Sequence, residues 1–210
     1  MIHRFVFNSF MVNTYILWDE TGDGIIIDAG CYEETEQKEI ADFLTEEKVK
    51  LVRNINTHCH VDHIFGNGFI FKAYGISPEY HRASLPFVTR AAEIAASFGL
   101  SLDHSPAPKR YLEDEEIIHF GNSSLKVMVT PGHADGSVCL YNEPGQFVIT
   151  GDVLFKETIG RTDLPSGDFD LLMKSIKTRL FTLPDEVVVW PGHGPETSIG
   201  YEKTFNPFIR

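Results

Sequence analysis

Thr57-His58-Cys59-His60-Val61-Asp62-His63 puts four side chains of metal-ligating type within six residues. In an extended segment, positions i, i+2 and i+4 share a face, so His58, His60 and Asp62 point together. His63 joins them if the chain turns into a helix there. Cys59 and Val61 face the other way, and Cys59 is expected to be a small buried hydrophobe. Imidazole suits zinc, copper, iron and nickel, and an adjacent carboxylate widens the choice toward iron and manganese. One histidine at a strand-to-helix junction would be an ordinary polar residue, with Asp62 capping the helix that follows. Three histidines and an aspartate at this spacing read instead as ligands. One metal needs about four donors, so others must come from distant loops.

Three candidates lie directly after strand-like runs. His133 follows Val127-Met128-Val129-Thr130-Pro131-Gly132, Asp152 follows Phe147-Val148-Ile149-Thr150-Gly151, and His193 follows Val187-Val188-Val189-Trp190-Pro191-Gly192. A glycine precedes each, where the backbone can turn and approach closely. Either Pro-Gly-His alone would pass for a turn that happens to hold a histidine; with the central cluster, both read as ligand loops. His3, His81, His104 and His119 lack this context and read as surface or core residues.

The elements that must position these residues follow from periodicity. Strands are expected near residues 5–10, 13–18, 24–28 and 51–56, then over 116–120, 124–130, 137–141, 146–150 and 187–190. Helices are expected over 33–48, 64–74, 84–98 and 168–180. No linker or low-complexity stretch interrupts them, so a single domain over residues 1–210 is expected.

A formal net charge of -12 and the lack of any Lys/Arg run argue against nucleic acid as a partner. Three scattered cysteines do not make a disulfide framework. No apolar run approaches the roughly 18 residues of a membrane span, and the first residues make a poor signal peptide. A cytoplasmic protein is expected, with no membrane partner; oligomeric state stays open.

His58-x-His60-x-Asp62-His63 followed by His133, Asp152 and His193 resembles the metallo-β-lactamase superfamily, in its glyoxalase II-like hydrolase branch. The likeness runs from Asp28-Ala29-Gly30 to Pro207. Gly160-Arg161-Thr162-Asp163-Leu164-Pro165-Ser166-Gly167-Asp168 and the stretch after Gly192 look like the short bacterial type. The resemblance implies an α/β fold, an αβ/βα four-layer sandwich of two mixed sheets flanked by helices. It implies two divalent metal ions, zinc first, with iron or manganese also suited. His58, His60 and His133 would hold one, and Asp62, His63 and His193 the other, with Asp152 bridging. Asp28 and Thr57 match positions that support the metal loop.

The implied chemistry is hydrolysis of an acyl thioester such as S-lactoylglutathione, by hydroxide held between the metals and oriented by Asp62. Asp62, Asp152 and hydroxide together carry three negative charges, which two divalent cations more than balance. An anionic substrate is therefore acceptable to an acidic protein. Arg161 is the candidate substrate contact; the alternative is a buried ion pair with Asp163 that shapes the loop. Competing expectations are a persulfide dioxygenase with one iron, for which Gly160-Arg161-Thr162-Asp163 speaks, and a metal-binding protein without catalysis. A β-lactamase proper would be exported, and the sequence shows no leader for that.

Overall fold

The computed structural model describes residues 1–102 and 105–209, so His104 lies outside the described residues. Two compact units emerge: Met1–Tyr111 with His119–Ser123, and Leu112–Ile118 with Ser124–Arg210. Each carries a six-stranded mixed sheet flanked by helices.

In the first unit, β1 (Ile2–Phe7), β2 (Val12–Trp18) and β3 (Asp23–Ile27) form the expected opening meander. Helix α1 (Glu34–Glu46) crosses over and returns the chain as β4 (Lys50–Ile55), parallel to β3. Glu33 and Glu36 close the start of α1 as a reciprocal capping box. Its apolar stripe sends Ile40 and Leu44 into a core with Ile16, Ile26, Val49, Leu51 and Ile70. Burying each such side chain is worth about 1.5–3 kcal/mol. The sheet continues through β5 (Pro78–His81) and β6 (Arg110–Leu112), in the order β1-β2-β3-β4-β5-β6.

The helix expected over 64–74 is broken in two, α2 (Val61–Ile64) and α3 (Asn67–Tyr74). The break falls at Gly66, whose N–H donates to the Ala29 carbonyl at 2.7 Å. A Cβ at Gly66 would stand 2.4 Å from Cys31 Sγ and 2.8 Å from that carbonyl. The chain therefore passes too close to β3's exit loop to carry any side chain. Helix α4 (Leu85–Ser97) follows a 3-10 turn, and Gly99 after it takes a left-handed φ of 74°, as its capping place requires.

The second unit's sheet runs β14-β13-β10-β9-β8-β7. These strands are β7 (Ile117–Phe120), β8 (Ser123–Val129), β9 (Val138–Asn142), β10 (Phe147–Gly151), β13 (Val188–Pro191) and β14 (Thr197–Ser198), with β11 (Leu154–Phe155) and β12 (Thr158–Ile159) as a separate hairpin. β10 and β13 are parallel, joined by α5 (Phe169–Ser175). The helix expected to reach residue 180 continues past α5 as a π-helical turn, Ile176–Leu180. Leu172, Ile176 and Leu180, with Ile199 of α6 (Ile199–Phe205), pack on Val148, Val187 and Val189. β5, β6, β11, β12, β14 and α6 were not foreseen; most are too short to show a period.

A latch in the first unit has a pH consequence. Asp19 accepts hydrogen bonds from Thr21 Oγ1 at 2.5 Å, Thr21 N at 3.0 Å and Asn122 N at 2.7 Å. Led by the Thr21 hydroxyl, these bonds hold its carboxyl down at about 2. A folded pKa below the unfolded one contributes stability at pH above about 4, and that stability fades as pH falls toward 2. Asp19→Asn is therefore expected to flatten the acid limb of the stability curve between about pH 4 and 2. Urea midpoints measured across that range check it, and an unchanged limb would count against the latch.

Candidate metal centre

Strand direction explains where the candidates gather within each unit. β3 and β4 run parallel, and Asp28 follows the end of one while the His58–His63 segment follows the other. In the second sheet β8 and β10 each lie antiparallel to β9, and β13 runs parallel to β10. The ends of β8, β10 and β13 therefore point one way, and they deliver His133, Asp152 and His193. Loops beyond strand ends are rigidly held at their base and free to carry function at their tip.

In the first unit, His58, Asp62 and His63 are buried and His60 is half-buried. His58 Nε2 stands 3.1 Å from His60 Nδ1. Two nitrogens each about 2.0–2.1 Å from one zinc lie roughly 3.3 Å apart in tetrahedral geometry. His63 Nε2 stands 3.5 Å from Asp62 Oδ2, and the ligand atoms of His58 and His63 also lie within 4.8 Å of each other. The donor set fits divalent cations: neutral imidazole nitrogens and a carboxylate, with their lone pairs converging.

The remaining edges of these rings are held from behind. Asp28, at a left-handed φ of 52°, accepts from Thr57 N at 2.7 Å and from Thr57 Oγ1 at 2.6 Å. Its Oδ2 also takes His63 Nδ1 at 3.0 Å. Because Thr57 donates its hydroxyl proton to Asp28, its oxygen is left to accept from His58 Nδ1 at 3.2 Å. Both histidines thus carry their proton on Nδ1 and turn Nε2 toward the ligand side. Asp28 and Thr57 touch the rings, the role that the resemblance implied for them.

In the second unit, Asp152 Oδ2 lies 3.7 Å from His133 Nε2 and 3.6 Å from His193 Nε2. One carboxylate oxygen standing between two imidazoles is the arrangement a bridging ligand needs. His133 Nδ1 lies 2.8 Å from the Arg161 carbonyl, which fixes its tautomer. The first Pro-Gly-His turn is clamped: Gly132 has φ of 128°, and a Cβ there would meet Leu172 N at 2.2 Å. At the second, Gly192 N donates to the Gly151 carbonyl at 2.8 Å, tying the His193 and Asp152 loops together.

Arg161 and Asp163 do form an ion pair, bidentate at 2.8 Å for both bonds, but both side chains are exposed rather than buried as expected. The pair raises the Arg161 pKa and holds the Asp163 carboxyl down at about 2, the guanidinium hydrogen bonds being the largest cause. Cys59 lies on the opposite side from the ligands, among Val61, Ile64, Phe65 and Tyr80. Burial pushes its thiol well up, and pushes Cys31 and Cys139 to about 12. None of the three is expected to react with a thiol reagent near pH 8 until the chain unfolds, since the thiolate is the reactive form. Prompt labelling of the native protein would refute this.

His3 stacks on Phe43 with ring centroids 4.3 Å apart, and His81 accepts from Ala83 N at 3.3 Å, so both have packing or capping work. Three groups that bond to the candidate ligands were not expected from the sequence: the Arg161 carbonyl behind His133 and the side chains of Asn8 and Asn56. Asn56 directly precedes the ligand motif, a signal that was there to read; Asn8 offered none.

The metallo-β-lactamase superfamily model matches residues 8–193. Hydroxyacylglutathione hydrolase GloC of Haemophilus influenzae is 32% identical over 203 residues, covering 96% of this chain and 94% of that one. Among solved structures, the BLEG-1 B3 metallo-β-lactamase superposes with a TM-score of 0.91 at 29% identity, covering 100% of this chain and 99% of that one. The TTHA1623 protein in a di-iron-bound form gives 0.88 at 32% identity, covering 98% and 99%. The chain belongs to the metallo-β-lactamase superfamily, and its fold is that family's α/β arrangement of two mixed sheets flanked by helices. It is a metal-dependent hydrolase of that superfamily.

Proposed function

We propose that the chain is a glyoxalase II-like thioesterase acting on S-lactoylglutathione or a similar acyl thioester, one hydrolase domain working with two divalent ions. Zinc is the first choice; iron and manganese suit the same donors, and a di-iron form is described for TTHA1623. In this reading His58, His60 and His133 serve one ion and Asp62, His63 and His193 the other, with Asp152 shared. The observation that carries it is the pair of converging donor sets, with Nε2 of His58 facing Nδ1 of His60 and Asp152 Oδ2 facing both His133 and His193. The likeness to the Haemophilus hydroxyacylglutathione hydrolase supports the substrate class.

Two divalent ions in such a site lower the pKa of bound water toward neutrality and polarise a carbonyl. The chain's own residues supply the rest. Asp28 and Thr57 keep His58 and His63 in the tautomer that presents Nε2, and the Arg161 carbonyl does the same for His133. Asp62, buried but with 13% of its side chain still open, accepts a proton from the attacking water and orients it. An exposed ion pair such as Arg161–Asp163 contributes little, because water screens both charges. Its guanidinium can therefore exchange Asp163 for a substrate carboxylate at little cost.

The test is metal content per chain together with thioester hydrolysis. About two ions per chain, with hydrolysis of S-lactoylglutathione that disappears in His58→Ala and Asp152→Ala, is the expected result. A single iron with oxygen consumption and no hydrolysis would give the persulfide dioxygenase instead, and two ions with no turnover on a thioester panel would remove the substrate class. The likeness to BLEG-1 favours β-lactam hydrolysis as the second reading, so a chromogenic β-lactam belongs in the same assay.

A further inference from the structure

A four-residue helix cannot satisfy its own carbonyls, because the last four C=O groups of any helix lack an intrahelical donor. α2, Val61–Ile64, is such a helix, and it carries Asp62 and His63. Two asparagine side chains supply the donors. Asn8 Nδ2 donates to the Asp62 carbonyl at 3.1 Å and to the Gly30 carbonyl at 2.9 Å. Asn56 Nδ2 donates to the His63 carbonyl at 3.0 Å. Asn8 holds a left-handed φ of 53°, a conformation that asparagine tolerates better than most residues.

Behind Asn56 the amides form a chain of fixed polarity. Asn67 Nδ2 donates to Asn56 Oδ1 at 3.0 Å, and Asn54 Nδ2 donates to Asn67 Oδ1 at 3.0 Å. All three are fully buried. With its Oδ1 already accepting, Asn56 must turn its NH2 toward His63; the flipped amide would press oxygen against the carbonyl. The chain runs from β4 and the first turn of α3 to the main chain of the ligand helix. Nothing in it titrates, so it holds the same geometry at any ordinary pH.

We propose that Asn8 and Asn56 are positioning residues for the divalent cation assigned to Asp62 and His63, acting through the main-chain carbonyls of those two ligands. The inference rests on that assignment. Both asparagines lie in the first unit, and neither amide is bonded to His58 or His60, so the effect is selective: the cation of Asp62 and His63 feels it and the cation of His58 and His60 does not.

Calorimetric titration of the metal-free chain with Zn(II), repeated with Co(II) and read by its visible spectrum, tests this. Asn56→Asp keeps the shape and removes the donor. Asn8→Gly keeps the positive φ at a partly exposed turn and removes the amide, so it decides the matter if Asn56→Asp fails to fold by circular dichroism. In either variant the expected result is one binding step weakened by about 10–100-fold, the usual cost of losing an outer partner, with the other step unchanged. Two steps equal to wild type in folded variants, or both steps weakened alike, would overturn the proposal. A wild-type chain that takes up no second ion would overturn the metal-pair reading and this assignment with it.

Discussion

Asp28→Ala is expected to destabilise the metal-free chain by about 3–5 kcal/mol and to weaken metal binding by about 10–100-fold. The buried carboxylate takes three donors, Thr57 N, Thr57 Oγ1 and His63 Nδ1, at 2.7, 2.6 and 3.0 Å. Alanine leaves all three without an acceptor, and each buried unsatisfied donor costs about 1–3 kcal/mol. It also puts a residue that avoids left-handed backbone at a φ of 52°. The metal effect follows because one carboxylate oxygen fixes His63 directly and His58 through the Thr57 hydroxyl. Asp28→Asn separates the causes, since it keeps the size and tolerates the backbone but turns an NH2 toward donors. Urea melts and metal titrations of both variants are the measurement; a wild-type midpoint in Asp28→Ala would sink this account of the loop.

Gly160→Ala is expected to lower turnover by about 10²-fold, the scale set by misplacing a catalytic group by about 1 Å. An added Cβ would lie 1.9 Å from the Asp152 carbonyl oxygen and 3.1 Å from His133 Cβ. The first contact is with backbone, which cannot swing aside as a side-chain end can. Either Asp152's main chain or the 160–168 loop must move, and the next residue's carbonyl is the one that orients His133 at 2.8 Å. Overpacking of this kind also costs about 1–3 kcal/mol in stability. Gly68→Ala is the control, because a Cβ there meets nothing within 4 Å. Equal metal content and turnover in Gly160→Ala and wild type would show that the loop yields more easily than its geometry implies.

Much of this centre was legible in the sequence because ligands at strand ends leave a local signature. His58, His60, Asp62 and His63 lie close enough in the chain for backbone period alone to align them. Pro131-Gly132-His133 and Pro191-Gly192-His193 announce themselves by repetition, and the continuous apolar runs before them, residues 127–129 and 187–190, mark strands. Cys59 was readable as buried for the same reason that its neighbours were readable as ligands. The main helices and the longer strands follow from apolar spacing, with ends displaced by a few residues.

The break between α2 and α3 was not legible, because it depends on Gly66 passing Ala29 and Cys31, residues more than thirty positions away. β5 and β6 have too few residues to carry a pattern; β5 exists because β4 offers an edge to pair with, and β6 because β5 offers the next. The supports of the ligands share this character. The Arg161 carbonyl behind His133 is main chain and has no residue type to recognise. Asn8 reaches Asp62 across 54 positions. Sequence alone determined which side chains could bind metal and the elements that carry them, since both are set by residue type and short spacing. Tertiary structure decided which nitrogen His58, His63 and His133 present and what holds it, because hydrogen bonds to neighbouring strand ends and loops fix those choices.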